Sequence, residues 1–141
     1  MSVGIIVATV VGFMSFAPIF ALSSCIEQKP LRVKQVCGQV LDREHGHGWR
    51  GAKLILSSQD GGNRKTQETR ANENGEFAFD SLQPGDYKLN VFLGENLLRS
   101  QVPIPISVTK STPGKCRTPI EVSVSFAPEV CAGAALKRRS R

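Results

Sequence analysis

Aromatic side chains are scarce in this chain of 141 residues, which has seven Phe, one Trp and one Tyr. Three of the phenylalanines, Phe13, Phe16 and Phe20, lie in the first 24 residues, so the rest of the chain has six aromatic side chains. Surfaces that bind single-stranded nucleic acid stack successive bases on aromatic rings. The sequence therefore predicts no nucleic-acid partner, although the formal net charge is +6.

Positive charge is also scarce outside the C-terminus. The last five residues contain four basic side chains, and the remaining chain has a net charge of only +2. A basic tail can contact phosphate or anionic lipid, but a terminus that nothing holds is usually solvated. The favoured interpretation of residues 127–141 is a solvated basic tail.

The groupings that catalysis or metal binding would need are missing. No CxxC or CxxH spacing indicates a zinc site, and no serine or cysteine stands beside a base in a recognisable pattern. The acidic residues are scattered over turns and outward-facing strand positions, so no carboxylate pair is apparent. The sequence predicts no catalytic residue, no cofactor and no metal, and thus no enzyme.

Charge is absent from the N-terminus up to Glu27. Residues 3–22 are apolar apart from Thr9 and Ser15, and small residues follow them as they do at a signal cleavage site. A run of this length is typical of a membrane-spanning helix or an export signal. Residues 1–24 are predicted to be a hydrophobic signal peptide or membrane anchor, which places the mature protein in the cell envelope.

The sequence Leu22-Ser23-Ser24-Cys25 resembles a bacterial lipobox. In that motif the cysteine is lipidated and becomes the new N-terminus. The resemblance implies a lipoprotein held to the membrane through Cys25, on the periplasmic or extracellular side. Residues 25–35, which include Pro30, are predicted to be a polar linker.

Disulfides are allowed in an exported chain, and the sequence has four cysteines. If Cys25 carries a lipid, at most one bridge and one odd thiol remain. A bridge between Cys116 and Cys131 is disfavoured, because residues 118–126 have the pattern of an extended strand about 30 Å long. The few residues from 127 to 131 cannot bring the chain back to Cys116. The expected bridge joins Cys37 to Cys116 or Cys131, and the sequence leaves that choice open.

Apolar side chains recur at every second position in the body of the chain, and no long helical pattern occurs after residue 25. This alternation is typical of strands with one face in a core and the other in water. Glycine and proline separate the runs, and Asn74-Gly75 predicts a type I′ hairpin. The pattern indicates an all-β sandwich or barrel, with strands in these runs: Val36–Val40, Ala52–Ser57, Phe77–Phe79, Tyr87–Phe92, Ile104–Val108 and Ile120–Phe126.

The same segments resemble the carboxypeptidase regulatory-like domain. Its opening strand Val-x-Gly-x-Val-x-Asp matches residues 36–42, and its Gly-Ala-x-Val matches Gly51-Ala52-Lys53-Leu54. The most specific match runs from Thr69 through Val91, with Asn-Gly-x-Phe-x-Phe-x-x-Leu-x-Pro-Gly-x-Tyr-x-Leu-x-Val at residues 74–91. The resemblance implies a transthyretin-like (prealbumin-like) Greek-key β-sandwich of about seven strands over residues 36–126. One side of its core would be supplied by Phe77, Phe79, Leu82, Tyr87, Leu89 and Val91.

Members of this family are usually exported accessory modules and are rarely catalytic, and folds of this type are often grouped as carbohydrate-binding-like. The resemblance therefore implies a non-catalytic accessory or binding module. Its expected partner is a polysaccharide or an envelope protein, and loops at one end of the sandwich would form the contact surface.

The loop between the first two strands, residues 43–50, contains three candidate ligand contacts, His45, His47 and Trp49. The histidine pair, together with Glu44, supports an alternative function as a metal-binding protein or metal-dependent enzyme. Flanking glycines favour a solvated loop instead. Trp49 could stack on a sugar ring, but the favoured interpretation has it covering the open end of the core.

Overall fold

The computed structural model describes residues 25–61, 65–94, 98–100, 102–110, 114–126 and 130–137. This part of the chain contains ten strands and no helix, so it also contains no helix able to span a membrane. The predicted signal or anchor, residues 1–24, lies outside the described residues. The strands are β1 (Leu31–Val33), β2 (Cys37–Asp42), β3 (Lys53–Ser58), β4 (Thr66–Arg70), β5 (Glu76–Ala78), β6 (Gly85–Leu93), β7 (Leu98–Arg99), β8 (Ile104–Val108), β9 (Ile120–Ser125) and β10 (Cys131–Leu136).

Two sheets form the molecule. The six-stranded sheet has the order β1-β8-β6-β3-β4, with β7 also paired to β6, and the four-stranded sheet has the order β10-β9-β2-β5. The β1–β8 and β2–β9 pairs are parallel and the others are antiparallel. The predicted all-β sandwich is confirmed. Its strand count exceeds the expected seven because β1 and β10 come from the predicted linker and tail, and β7 has only two residues.

The core lies between the sheets and is built from every second side chain of the interior strands. On β6 these are Leu89, Val91 and Leu93, and on β9 they are Ile120, Val122 and Val124. All six are at most 1% exposed. Burial of a side chain of this size contributes roughly 1.5–3 kcal/mol, so the alternation supplies most of the favourable free energy of folding.

The aromatic residues of the core do not all belong to one sheet. Phe77 lies on β5 of the four-stranded sheet, whereas Leu89 and Val91 lie on β6 of the other. The prediction that these residues form one side of the core was wrong, because they meet across it. Phe77 and Phe79 contact each other edge to face, with ring centroids 6.3 Å apart, and Tyr87 is only half-buried.

The Asn74-Gly75 turn differs from the predicted hairpin. The amide of Gly75 donates to Asn72 O at 3.0 Å, the amide of Asn72 donates to Glu76 O at 2.9 Å, and Gly75 has φ +79°. Asn74 has no positive φ, so the loop is a type I turn followed by a left-handed glycine. The turn does not join paired neighbours but carries the chain from β4 in one sheet to β5 in the other.

Pro105 lies in a strand that is an edge only in part. Strand β8 pairs with β6 from Ile104 to Val108, but β1 covers its other side only from Ile106 to Val108. Proline lacks an amide donor and is tolerated where a strand has no second neighbour. Strand β8 is therefore unpaired on one side at Pro105, although the strand as a whole is interior.

The predicted linker is part of the fold. Residues 25–30, called here the N-terminal strap, lie along the outer edge of β10 and lead into β1. The side-chain amide of Gln28 accepts a hydrogen bond from Ala134 N at 2.7 Å and donates one to Ala134 O at 3.1 Å. A free strand edge offers unpaired backbone groups to other chains, and Gln28 satisfies two of these groups in the middle of β10.

Two disulfides fasten the chain at distant points. Cys37 is bonded to Cys116, with Cα atoms 6.0 Å apart, which agrees with one of the two expected pairings of Cys37. Cys25 is bonded to Cys131, with Cα atoms 5.3 Å apart, and this bond anchors the N-terminal strap to the start of β10. Disulfides persist in oxidising compartments, so the pair indicates an oxidising, exported environment.

The second disulfide bears on the expected lipid. A lipid on Cys25 would need a thioether at the sulfur atom that here bonds Cys131. One sulfur cannot carry both, and the structure has the disulfide. Residues 131–136, expected to belong to a solvated tail, are likewise held in the four-stranded sheet by pairing with β9.

The two disulfides predict that the protein purified from an exporting host has no free thiol. Alkylation with iodoacetamide without prior reduction should add no mass, because all four cysteines are paired, whereas alkylation after reduction should modify all four. Intact mass spectrometry makes both measurements. A lipid on Cys25 would add its own mass and would leave Cys131 open to alkylation before reduction, which would contradict the observed pairing.

Candidate functional site

The strand directions separate the loops into two groups at opposite ends of the sandwich. One end has the β2–β3 loop, the β4–β5 turn and the connection from β9 to β10, and we call it the histidine end. The other has the β3–β4, β5–β6 and β8–β9 connections, and we call it the ridge end. The residues predicted to contact a ligand are all at the histidine end.

Backbone hydrogen bonds fold the β2–β3 loop back onto its own strand. The amide of Asp42 donates to His47 O at 2.8 Å, and the amide of Gly46 donates to Asp42 O at 2.7 Å. Trp49 continues the contact by donating its amide to Val40 O at 2.7 Å. Gly46 has φ +70°, which a residue with a side chain rarely adopts. The loop is thus a compact turn whose residues 43–47 are exposed, in agreement with the solvated loop expected from the sequence.

His45 is paired with the carboxylate that ends β2. Its Nδ1 lies 2.8 Å from Oδ2 of Asp42 while 65% of its side chain remains exposed. The hydrogen bond to Asp42, followed by the charge of that carboxylate, raises the pKa of His45. The same hydrogen bond is the main cause that lowers the pKa of Asp42, and the Glu44 amide, which donates to Asp42 Oδ1, adds to it.

The two histidine rings are close but lack a third metal ligand. Their centroids are 6.5 Å apart and the rings are nearly parallel, at 11°. In the described part of the chain, no three His, Cys, Asp or Glu side chains are grouped so that they could hold a metal ion. Glu44 bonds to Asp42 through its backbone amide. The two histidines therefore form an exposed pair, and the Asp42 carboxylate orients the His45 ring.

Trp49 contacts the core. The centroids of the Trp49 and Phe126 rings are 5.0 Å apart and the ring planes are tilted by 36°. The half-buried Trp49 side chain packs against the buried core cluster. The neighbouring turn fits closely, because a Cβ on Gly75 would lie 2.7 Å from Trp49 N and 2.5 Å from Val40 O. Trp49 therefore covers the end of the sandwich, as the favoured interpretation of the sequence held.

The ridge end has two open grooves that the sequence did not point to. The first, which we call the Tyr87 groove, has a volume of about 390 Å³ and lies between the β3–β4 loop and the start of β6. The second, the disulfide groove, has a volume of about 740 Å³ and lies beside the Cys37–Cys116 bond. Ser81, Gln83 and Pro84 line both, so residues 81–84 form a ridge between them.

Several contacts fix the ridge. Phe79 and Leu82 are buried in the core on either side of Ser81, at 8% and 7% exposed. The Tyr87 hydroxyl donates to Gln83 O at 2.7 Å. Burial is the main cause that raises the pKa of Tyr87, and the charge of Asp60 adds to it. Ser81 has φ +55°, and within the described residues it is the one non-glycine with a positive φ.

The far wall of the disulfide groove is also held in place. The Cys37–Cys116 bond ties the β8–β9 connection to β2. The Gln35 side chain adds two hydrogen bonds to the same connection, donating to Gly114 O at 3.2 Å and accepting from the Arg117 amide at 3.3 Å. Cys37 itself is outside the core cluster yet only 4% exposed. The disulfide thus serves as a covalent support for this groove.

Sequence reasoning missed the grooves because their residues serve two purposes. In the segment Leu82-x-Pro-Gly-x-Tyr, the sequence indicates a buried leucine, a turn and the start of a strand, and the structure has all three. The same segment also lines the grooves. The groove appears only when the β3–β4 and β8–β9 connections meet it, and they are distant in sequence. The one sequence feature that could have indicated the grooves is that three polar loops lie at the same end of the sandwich.

A family comparison agrees with the motifs of the strands. Residues 35–113 match the carboxypeptidase regulatory-like domain. The chain belongs to this family. Its domains are typically non-catalytic β-sandwich modules. No curated protein sequence matches the chain.

Two solved structures share features of the sandwich. One is transthyretin from Sparus aurata, with a TM-score of 0.47 and 10% identity over 75% of this chain and 100% of that chain. The other is sea bream transthyretin in complex with thyroxine, with a TM-score of 0.46 and 10% identity over 75% of this chain and 98% of that chain.

The Asp42–His45 pair predicts a pH dependence that NMR can follow. Folding raises the pKa of His45, so the pair contributes to stability below the ordinary histidine value of about 6.5, and this contribution is lost as pH rises through the raised value. Asp42→Asn should lower the midpoint of the His45 imidazole titration toward its ordinary value. An unchanged midpoint in that variant would show that Asp42 does not set the pKa of His45.

Proposed function

We propose that this chain is a non-catalytic binding module of an exported protein and that it contacts an envelope polysaccharide or an envelope protein through the loops at its ridge end. The observation that supports this is the fixed form of that end. Core anchors hold the ridge from below, Tyr87 holds it from one side, and the Cys37–Cys116 bond supports the opposite wall. A binding surface that is already ordered loses less conformational entropy when a ligand binds, so binding there costs less free energy.

The grooves have the size of a ligand-binding site. Volumes of about 390 and 740 Å³ fall within the usual range of ligand sites, roughly 300–1,000 Å³. Their polar side chains include hydroxyls and amides from Ser58, Gln67 and Gln83, which can donate and accept hydrogen bonds. These groups can bind a polar ligand reversibly.

Metal binding at the histidine end is the alternative, and the paired rings of His45 and His47 favour it. Asp42 already occupies Nδ1 of His45, which leaves Nε2 for a metal. A metal there would need further ligands from water or a partner, because the described residues group no third ligand with the two histidines. Elemental analysis of the purified protein before and after changing both histidines to alanine distinguishes this function from the proposed one.

The proposed function predicts that the two disulfides differ in importance. An insoluble envelope polysaccharide preparation should retain the protein in sedimentation without releasing sugar, and envelope proteins should be tested separately by cross-linking. Replacing both Cys37 and Cys116 with serine should weaken retention, because the groove wall loses its support. Replacing both Cys25 and Cys131 is the matched control, since it removes one disulfide far from the ridge end.

Retention that falls equally in both double variants would contradict a site at the ridge end. Sugar release that tracks the protein would contradict a non-catalytic role. Thermal unfolding of both variants provides the necessary comparison, because loss of a native disulfide commonly costs about 2–5 kcal/mol of stability.

A further inference from the structure

The two grooves at the ridge end have a charge pattern that narrows the class of ligand. Among its described lining residues, the Tyr87 groove has one acidic and one basic side chain, Asp60 and Lys65. The disulfide groove likewise has one of each, Asp80 and Lys34. Among these described lining residues each groove is therefore balanced in charge, although the whole chain carries +6.

A balanced groove offers little attraction to a polyanion or a polycation. Sites for charged polymers present one sign of charge, which focuses the field and concentrates the ligand. Here the charges are mixed with uncharged donors and acceptors at Ser58, Gln67, Ser81 and Gln83. A ligand rich in hydroxyl groups matches this mixture, since each hydroxyl both donates and accepts a hydrogen bond.

The form of the ridge indicates a ligand longer than one ring. The two grooves share Ser81, Gln83 and Pro84, so a ligand in one reaches the other by crossing residues 81–84. The backbone at the top of this ridge is strained at Ser81, where φ is +55°. Such a conformation persists only where its surroundings impose it, and here Phe79 and Leu82 do so by their burial.

From the charge balance, the polar lining and the shared ridge, we propose that the ridge end binds an uncharged linear polysaccharide whose chain crosses residues 81–84. This inference rests on the proposed function and names the polymer class and its path. Asp60 accepts hydrogen bonds from sugar hydroxyls in the Tyr87 groove, where it lies against Gly85: a Cβ at that position would be 2.6 Å from Asp60 Oδ2. Gln83 donates from the ridge, while its backbone oxygen remains bonded to the Tyr87 hydroxyl.

Calorimetric titration of the full oxidised protein tests the polymer class. The probes are hexamers of β-1,4-linked glucose, α-1,4-linked glucose and β-1,4-linked N-acetylglucosamine, with a galacturonic acid hexamer as the anionic comparison. At least one neutral hexamer should bind more tightly than its own dimer, because only the longer chain crosses the ridge. Its affinity should be the same at about 50 and about 500 mM salt, since screening does not affect an uncharged ligand.

Substitutions test the path. Asp60→Ala and Gln83→Ala should each weaken binding of the neutral hexamer, the former roughly tenfold or more because a charged acceptor is lost. Glu73→Ala, in the exposed β4–β5 turn at the opposite end, is the matched control and should leave the affinity unchanged. Both groove side chains are exposed, so the variants should fold, and thermal unfolding checks that they do.

The outcomes separate this inference from the proposed function. If a neutral hexamer binds but Asp60→Ala and Gln83→Ala leave its affinity unchanged, the path is wrong while a binding role stands. If only the galacturonic acid hexamer binds, or affinity falls steeply with salt, the uncharged class is wrong. If no hexamer binds, the inference is overturned, and the proposed function is then judged by the envelope sedimentation and cross-linking alone.

Discussion

The burial of alternating apolar side chains between two sheets is the constraint on which the rest of this structure depends. The interior residues of β3, β6, β8 and β9 are at most 2% exposed, and a shift of register by one residue in any of these strands would turn them toward water. The core therefore fixes the register of these four strands, and through their register it fixes which loops meet at each end. Phe79 and Leu82 show the link directly, because their burial determines where the ridge stands.

The edges of the sheets are closed by contacts that a core cannot provide. Strand β10 has small side chains and contributes little to the interior, so its place depends on pairing with β9 and on the N-terminal strap. Gln28 satisfies backbone groups of Ala134, and the Cys25–Cys131 bond holds the strap in place. The other disulfide acts at the ridge end, where the described residues of the β8–β9 connection, 109–110 and 114–119, form neither helix nor strand. Each disulfide thus joins a segment with little apolar burial to the rest of the fold.

Sequence periodicity predicted the parts of the fold that the core controls and missed the parts that it does not. The runs around Leu54, Leu89 and Val122 were recognised because large apolar residues alternate with polar ones. Strand β10 was not, since Cys-Ala-Gly-Ala-Ala-Leu has no such contrast. Cys25 was interpreted from its immediate neighbours as a lipid site, whereas its partner is 106 residues away. The ridge end was missed for a similar reason, because its walls are brought together only by topology, and the conspicuous His45, His47 and Trp49 lie at the other end.

The central claim is that alternate residues of the interior strands face a closed apolar core, and adjacent residues of β6 test it most directly. Leu89 is fully buried and Lys88 is exposed. Denaturant unfolding of Leu89→Ala should show a loss of about 2–5 kcal/mol in the free energy of unfolding, while Lys88→Ala should change it by no more than about 0.5 kcal/mol. Equal losses in the two variants, or a larger loss for Lys88→Ala, would contradict the two-sheet account.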